Sequence, residues 1–301
     1  MDARYAASAN TVNRGYGLNR IGLYVKNEAA AYNKAEVFEA WLRDRNIDVL
    51  RQGALETHIG DGEPPIPSAP ADLSCVFVIG GDGTFLSASR WIGETPIPMI
   101  GVKFADVGFL AEIAEEALFE TAEAVLAGNY RIESRTRLRA RIVRNGAVLA
   151  DETVLNDVVI NKAALARLAN IKTYIDDHYL TTYRCDGLIV STPTGSTAYS
   201  LAAGGPVVHP AVEGIVITPI CPFTLTTRPL IVPNHVTIKT LLDEKATDIV
   251  VTFDGQEGLE IYGTDMLIIE KSPYPVNLIT LPGQNYFDIL KSKLRWSGGR
   301  I

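Results

Sequence analysis

Cysteine is scarce in this sequence, and no two cysteines are close enough to act as a pair. Cys75, Cys185 and Cys221 are the three among 301 residues, and no Cys-x-x-Cys motif occurs. An odd number of widely spaced cysteines argues against a disulfide framework and against a zinc site built from paired thiolates. We therefore expect buried thiols in a reducing compartment.

Long apolar runs and an excess of basic residues are also missing. No stretch reaches the roughly 18 consecutive apolar residues of a membrane-spanning helix, and residues 1–18 lack the apolar core of a signal peptide. The formal net charge is −7, so no overall positive field would attract nucleic acid or an anionic membrane. These absences favour a soluble cytoplasmic protein that has neither nucleic acid nor membrane as a partner.

Up to about residue 130, predicted strands alternate with predicted helices. Apolar runs at 21–25, 75–79 and 98–102 are typical of buried strands, and the spacing of apolar residues predicts a helix at 114–127. Alternation of this kind favours an α/β fold with a doubly wound parallel sheet. We expect this domain to span 19–130.

From about residue 132 the pattern has a period of two. Apolar residues alternate with arginines along 136–142, and Asn145-Gly146 follows, which is a strong hairpin signal. The arginines could bind nucleic acid, but their spacing favours the solvent-exposed face of an antiparallel strand. Further short strands are predicted at 171–175, 215–218, 236–242, 248–253 and 266–269. We expect a β-rich domain at 131–281 and a C-terminal segment, 282–301, that returns to the first domain.

A glycine-rich turn follows the predicted strand 75–79. It reads Gly80-Gly81-Asp82-Gly83-Thr84, and we expect a helix to begin at Thr84 or Phe85. The turn would lie at the carboxyl end of a parallel sheet, where open α/β sheets bind ligands. Glycine amides beside a helix start suit a phosphate, but the negative charge of Asp82 does not.

Three roles would explain an aspartate at this position. Asp82 could hold a metal that bridges phosphates, or it could accept the proton of a hydroxyl that attacks a phosphoryl group. It could also simply cap the helix that follows. The sequence has no Gly-x-x-x-x-Gly-Lys-Ser/Thr motif, so the turn is not that of a P-loop protein.

Three stretches of the second half place polar residues beside apolar strands. Asn156-Asp157 lies between two apolar runs, which indicates either a strand end that faces a cleft or a plain turn. The segment 184–206 is rich in glycine and hydroxyl side chains, and the ring of its Tyr199 could stack on a base. The hydroxyls of Thr194, Ser196 and Thr197 could form hydrogen bonds with base edges, or they could cap the helix that follows. Residues 253–256 give a weaker turn signal.

Taken in order, these stretches resemble the NAD kinase family. The matching segments cover about 20–290 and are 80–84, 156–157, 186–206, 218–232 and 254–256. The resemblance implies an NAD kinase-like fold, with an α/β domain followed by a β-rich NAD-binding domain. It implies transfer of the γ-phosphate of ATP, or of polyphosphate, to the 2′-hydroxyl of the adenosine ribose of NAD, which gives NADP. A divalent metal cation, Mg²⁺, and a homodimer or homotetramer are implied as well.

The resemblance also assigns roles to residues, and none of these roles is that of a metal ligand. Asp82 is implied as the general base and, with Gly83, as an NAD contact. Asn156 and Asp157 correspond to residues that hold the nicotinamide-side ribose. The phosphate-donor turn comprises Gly80, Gly81, Gly83 and Thr84. The adenine-contacting segment comprises Thr194, Thr197, Ala198, Tyr199, Ser200, Leu201 and Ala202. The remaining implied NAD contacts are Arg167, Gln256 and a pair, Arg184 and Asp186, that reaches the nicotinamide end across a subunit interface.

The chain departs from the family pattern at three points. Asp157 stands where glutamate is usual and is one methylene shorter, which puts its direct ribose contact in question. Lys103 lies in a segment, 101–106, that replaces one usually richer in glycine, and it could approach phosphate or remain solvated. Phe223 stands where many members have histidine.

Two other functions are compatible with parts of the sequence. A lipid or sugar-phosphate kinase with the same turn would explain Asp82 but would leave 194–199 unexplained. A non-catalytic NAD sensor on the same scaffold is disfavoured by the intact turn at 80–84.

Overall fold

The structure, a computed structural model, describes residues 18–55, 58–59, 68–104, 108–162, 168–243 and 246–296. The helices are α1 (Ala29–Arg43), α2 (Asp82–Ile92), α3 (Leu118–Leu126), α4 (Tyr199–Ala202) and α5 (Tyr286–Leu294), with short 3₁₀ helices at Glu115–Ala117 and Thr194–Thr197. The strands of the first half are β1 (Arg20–Val25), β2 (Asp48–Gly53), β3 (His58–Ile59), β4 (Cys75–Gly80), β5 (Met99–Lys103), β6 (Ile113–Ala114), β7 (Arg131–Arg135), β8 (Leu138–Arg144) and β9 (Ala147–Val154). Those that follow are β10 (Asp157–Lys162), β11 (Ala169–Ile175), β12 (His178–Cys185), β13 (Gly187–Ser191), β14 (Gly214–Ile220), β15 (Leu230–Pro233), β16 (Ile238–Leu242), β17 (Ile249–Phe253), β18 (Glu257–Ile261), β19 (Asp265–Lys271) and β20 (Val276–Thr280).

The described residues form two compact units. Those within Met1–Leu55, Ile66–Ser134 and Val276–Ile301 make the first unit, and those within Glu56–Pro65 and Arg135–Pro275 make the second. The second unit therefore consists of one long stretch, Arg135–Pro275, and one short segment, Glu56–Pro65, that interrupts the first unit in sequence. The domain boundaries expected from the sequence, at 131 and 282, stay a prediction.

The first unit is built on a mainly parallel sheet. Its strand order is β2-β1-β4-β5-β20-β7, and β6 pairs with the carboxyl end of β5. Strand β1 runs parallel to both β2 and β4, and β5 runs parallel to β4 and β20. The parallel sheet predicted from the strand–helix alternation is thereby confirmed.

Helices cover both faces of this sheet, as strand β1 illustrates. Leu23 is fully buried in a cluster that also contains Phe38 of α1 and Leu118 of α3. The next residue, Tyr24, points to the other face, where its ring centroid lies 5.4 Å from that of Trp91 in α2. Because neighbouring residues of a strand face opposite sides, α1 and α3 lie on one face and α2 lies on the other.

The second unit consists of two mainly antiparallel sheets that share one core. One sheet has the order β15-β14-β13-β10-β17-β18-β3, and the other has the order β12-β11-β16-β19-β8-β9. Apolar side chains of both sheets, such as Val158 and Val251 of the first and Ile142 and Ile269 of the second, belong to one buried cluster. The alternating pattern of the sequence is the pattern that such a two-sheet core requires.

The arginines of β8 lie on the outer face of their sheet, as the strand interpretation predicts. Arg139 forms two hydrogen bonds with Asp151, at 2.6 and 2.5 Å, and Arg141 contacts Glu270 at 2.8 Å. The strand begins only at Leu138, however, and Arg137 is buried with 1% of its surface exposed. Its guanidinium donates to the Tyr274 carbonyl at 2.7 Å. The expectation that 136–142 is one strand with every arginine exposed was therefore wrong at Arg137.

The cysteines also differ from the expectation at one position. Cys75 and Cys185 are buried, whereas Cys221 is exposed, and none of the three forms a disulfide. No described helix is both long enough and apolar enough to cross a bilayer.

Candidate active site

The glycine turn lies at the carboxyl end of β4, as predicted. Gly80 is the last residue of the strand and pairs with Lys103 at the end of the neighbouring strand β5. Gly81 is the N-cap of α2, and the helix begins at Asp82, two or three residues earlier than expected. A Cβ on Gly80 would overlap the Thr84 side chain, whereas a Cβ on Gly81 would meet open space. The turn therefore needs glycine at its first position for packing and leaves its second position accessible to a ligand.

The carboxylate of Asp82 is held by three consecutive backbone amides. Phe109 donates to Oδ2 at 2.6 Å, while Leu110 and Ala111 donate to Oδ1 at 2.9 and 3.1 Å. The helix-cap explanation of Asp82 is wrong, because Gly81 occupies the cap position and the Asp82 carboxylate is bonded to the 109–111 amides instead of those of its own helix. A carboxylate has about four acceptor positions, so these three bonds leave one lone pair on Oδ2.

Gly108 is a residue of this site that sequence reasoning missed. Its φ is +151°, and a Cβ built on it would overlap the Asp82 carboxyl group. No larger residue would let the 109–111 amides approach that carboxylate. The signal in the sequence is a lone glycine before Phe109 and Leu110, which has no meaning until the tertiary contact with Asp82 is known.

The second unit contains a similar hydrogen-bond arrangement around the carboxylate of Asp254. Its carboxylate accepts hydrogen bonds from the amides of Leu155, Asn156 and Asp157, at 2.8, 2.7 and 3.0 Å. In return, the amide of Asp254 donates to the Asp157 carbonyl at 2.9 Å. This network joins the start of β10 to the turn after β17, so Asn156, Asp157 and Gln256 lie close together. The family resemblance assigns a role to Gln256 in this turn and none to Asp254.

Asp157 carries a buried carboxyl group. Only 5% of the residue is exposed, and it opens strand β10 opposite Ser191. Burial and, to a smaller extent, the neighbouring charge of Asp254 together raise the pKa of this carboxyl to about 7. Asp157 therefore changes its charge near neutral pH, which no feature of its sequence context indicated.

The hydroxyl-rich segment packs directly against Asn156. Thr192 donates its hydroxyl to the Leu155 carbonyl at 2.6 Å and its amide to the Asn156 carbonyl at 2.9 Å. A Cβ on Gly195 would overlap the Asn156 backbone. Because these contacts need a small residue at 195, the sequence Thr-Gly-Ser-Thr brings Thr194 beside the Asn156-Asp157 pair.

Residues 196–202 combine an exposed ring with two buried serine hydroxyls. Tyr199 is 43% exposed, so its ring is accessible at the surface. The Ser200 hydroxyl is fully buried and bonds to the Thr218 hydroxyl at 2.8 Å, while Ser196 is bonded to the Pro193 and Val208 carbonyls. These serines hold the segment in place, and a ligand would meet Tyr199 and the accessible parts of its neighbours. The predicted contacts of Thr197, Ala198, Leu201 and Ala202 stay predictions.

Arg184 and Asp186 lie at the far end of the sheet from Asp157. They adjoin Gly187 at the start of β13, whereas Asp157 pairs with Ser191 at its other end. Four residue steps of about 3.3 Å give roughly 13 Å between the two ends. The Arg184 guanidinium lies over the Phe223 ring at 4.4 Å. One chain therefore does not bring this pair to the Asp157 cluster, and Arg167 lies outside the described residues.

Comparisons with known proteins identify the family. Residues 65–130 match the family model of the ATP-NAD kinase N-terminal domain, and residues 155–281 match that of the ATP-NAD kinase C-terminal domain. The NAD kinase of Desulfatibacillum aliphaticivorans is 51% identical over 284 residues, which is 94% of this chain and 100% of that protein. This chain belongs to the NAD kinase family. The NAD kinase of Geobacter sulfurreducens is 40% identical over 281 residues, with 93% of this chain and 99% of that protein covered.

Two solved structures of NAD kinases share this fold. Yeast NADH kinase complexed with NADH superposes with a TM-score of 0.80 at 21% identity, covering 95% of this chain and 90% of that one. An NAD kinase from Archaeoglobus fulgidus in complex with ATP superposes with a TM-score of 0.73 at 24% identity, covering 93% and 100%. The expected α/β domain followed by a β-rich domain is confirmed.

The described residues do not provide a protein-held metal centre. No three His, Cys, Asp or Glu side chains come together among them in a way that could hold an ion. Most acceptor positions of Asp82 and Asp254 are taken by amides. Mg²⁺ is commonly held by one or two carboxylates together with substrate phosphates, so a divalent cation fits this family member as part of its nucleotide substrate.

Proposed function

We propose that this protein phosphorylates NAD to NADP with ATP as the donor. The γ-phosphate passes to the 2′-hydroxyl of the adenosine ribose, and polyphosphate is an alternative donor. The observation that carries this proposal is the identity of 51% along nearly the whole chain with an NAD kinase. The glycine turn with its held carboxylate supplies a chemical basis for the same reaction.

The donor phosphates would lie at the start of α2. Gly80 and Gly81 precede this 11-residue helix, and Gly83 and Thr84 lie in its first turn; amides at a helix N-terminus favour anions. The open space at Gly81 allows close approach of a phosphate. The divalent cation would arrive bound to the ATP phosphates, whose charge it neutralises.

Asp82 would act as the general base through Oδ2. The ribose oxygen attacks the γ-phosphorus as its proton passes to that carboxylate oxygen, the bond from the γ-phosphorus to the bridging oxygen breaks, and ADP leaves. Because three amides fix the carboxylate, the remaining lone pair has one direction. Phosphoryl transfer depends mainly on positioning and charge stabilisation, so this fixed direction is what the turn contributes.

The dinucleotide would be held by the second unit. Its adenine would meet Tyr199 and the neighbouring residues Thr194, Thr197, Ala198, Leu201 and Ala202, whereas the buried Ser200 would support this segment from behind. Its nicotinamide-side ribose would meet Asn156 and Asp157, with Gln256 and Arg167 as further contacts. At pH values below about 7, protonated Asp157 can donate a hydrogen bond to a ribose oxygen.

Arg184 and Asp186 would serve the site of a neighbouring subunit in a homodimer or homotetramer. Their position at the far end of β13 supports this assignment, because they do not adjoin Asp157 of their own chain. We also propose a cytoplasmic location, which the free thiols of all three cysteines favour. Fractionation that recovers the protein outside the cytoplasm would contradict it.

One incubation tests the function. The purified protein is mixed with NAD, ATP and Mg²⁺, and an NADP-specific dehydrogenase reads the product; parallel samples replace ATP with polyphosphate or omit the donor. NADP that appears only with a phosphate donor supports the proposal. ATP use that depends on an added lipid or sugar phosphate would indicate a different kinase, and NAD binding without turnover would indicate a sensor.

A further inference from the structure

Two Asp-Gly turns among the described residues hold three amides in the same way. In each, the first of three consecutive amides donates to Oδ2, and the second and third donate to Oδ1. Asp82 binds the amides of 109–111, and Asp254 binds those of 155–157. The first carboxylate belongs to the proposed reaction, and the second has no assigned role.

We propose that Asp254 is a positioning residue of the dinucleotide site: its carboxylate fixes the 155–157 backbone and thereby places the Asn156 and Asp157 side chains. The proposal rests on the proposed NAD site at these two residues. Asp254 acts through them and does not need to touch the substrate.

The turn itself does not require a carboxylate. Asp254 and Gly255 have positive φ values of 53° and 62°, and Gln256 donates to the Phe253 carbonyl at 2.9 Å. This is the pattern of a type I′ turn, which Asn-Gly forms as readily as Asp-Gly. A residue that served only the hairpin could therefore be asparagine.

The three amides do require a carboxylate. Asparagine has one acceptor oxygen and would turn an NH₂ group toward one of the three N–H donors. Asp254 is 8% exposed, so water cannot readily replace a lost acceptor, and hydrogen bonds to a charged group are stronger than neutral ones. The charge of Asp254 thus holds the start of β10 in one conformation.

This arrangement has a cost at Asp157. Asp254 is the charged group that acts on the Asp157 carboxyl, and it opposes ionisation of that group. The hydroxyls of Ser191 and Thr192 beside this strand end carry no charge. Asparagine in this turn would avoid the repulsion between Asp254 and Asp157. The presence of a carboxylate is therefore explained by its hydrogen bonds to the 155–157 amides.

The test compares Asp254→Asn with Asp265→Asn. Asp265 is a matched control, because it is likewise a buried aspartate whose carboxylate binds a turn amide, that of Tyr262 at 2.8 Å, but it lies in the other sheet of the same unit. In Asp254→Asn we expect the KM for NAD to rise about tenfold or more, while the KM for ATP stays within about twofold. Asp265→Asn should leave both KM values unchanged.

A second readout needs neither substrate nor turnover. Carbon-13 NMR of the ligand-free protein should show Asp157 titrating near 7 in the parent and at a lower pH in Asp254→Asn, since the repelling charge is gone. In the parent, the 155–157 amides should be protected from hydrogen exchange, which can be measured even if the variant does not fold. A merely structural role would not separate the KM for NAD from the KM for ATP.

The outcomes separate the two proposals. Failure of the parent to form NADP would refute the proposed function. The Asp157 titration and the hydrogen exchange of the 155–157 amides would still test whether Asp254 fixes this backbone. An unchanged NAD KM in Asp254→Asn, an unchanged Asp157 titration, or exchange-labile amides at 155–157 would overturn the positioning role. In the double variant with Asp157→Asn, the loss in NAD affinity should be smaller than the product of the single losses.

Discussion

Replacing Asp157 with asparagine should stabilise the protein, and the gain should depend on pH. Asparagine has nearly the same shape as a protonated aspartic acid but cannot ionise. The folded protein raises the pKa of Asp157 from 3.8 to about 7, so ionisation opposes folding. Stability from the neutral carboxyl is therefore complete below about pH 4 and is lost as pH rises to about 7.

The magnitude follows from the difference between these two values. Each pH unit is worth about 1.4 kcal/mol, so the ionised group costs on the order of 4 kcal/mol above pH 7. We expect Asp157→Asn to exceed the parent in unfolding free energy by about 1–2 kcal/mol at pH 5 and by about 4 kcal/mol at pH 8. The same substitution removes a proposed ribose contact, so the more stable variant should bind NAD more weakly.

The assay must report on the second unit. Trp41, Trp91 and Trp296 all belong to the first unit, so tryptophan fluorescence would miss the effect. Hydrogen exchange of the β10 amides, measured at increasing urea concentrations, reports the unfolding of the second unit directly. An advantage of Asp157→Asn that is the same at pH 5 and pH 8 would refute this reasoning.

Asp151→Asn provides a control of opposite sign. A hydrogen bond from Arg139 lowers the pKa of Asp151, so this carboxylate contributes stability above its unfolded value and loses it as pH falls. The variant should therefore be less stable than the parent near neutral pH, and this deficit should shrink in acid.

Three further results are expected. Gly108→Ala should lower kcat about 10²-fold, because a Cβ there displaces the Asp82 carboxylate; Gly146→Ala is the control, since its added Cβ meets nothing within 4 Å, and equal kcat losses in both variants would remove the explanation. Tyr199→Ala should raise the KM for NAD about tenfold and that for ATP much less, because a base-stacking ring is worth about 1–3 kcal/mol; equal changes in both KM values would count against an adenine site there. Sedimentation should show a dimer or tetramer, and Asp186→Ala should weaken NAD binding in that assembly; a fully active monomer would contradict the shared site.

The elements that the sequence predicted well are those encoded by local patterns. The apolar run at 75–79 and the glycines after it fix both a buried strand and the turn at its end. The Asn145-Gly146 pair lies between β8 and β9, as a hairpin signal should. In both cases a few neighbouring residues determine the backbone, so no knowledge of distant contacts is needed.

The parts that could not be predicted depend on contacts between distant segments. Asp82 meets amides 27 to 29 positions away, and Asp254 meets amides 97 to 99 positions away. Strand β20 pairs with β5 although nearly 180 positions separate Leu278 from Met99 in the sequence. Arg137 looks like its exposed neighbours in sequence, but it is buried and donates to a distant partner, the Tyr274 carbonyl.

The kcat of Asp82→Asn, measured at saturating NAD and ATP across a Mg²⁺ titration, tests the central claim most directly. Asparagine can keep an acceptor oxygen toward Leu110 and Ala111, but it cannot take the ribose proton. The account predicts a fall in kcat of about 10²- to 10⁴-fold at every Mg²⁺ concentration, with NAD affinity by calorimetry changed only a few-fold. Activity within a few-fold of the parent, or recovery of the rate at high Mg²⁺, would contradict the assignment of Asp82 as the general base.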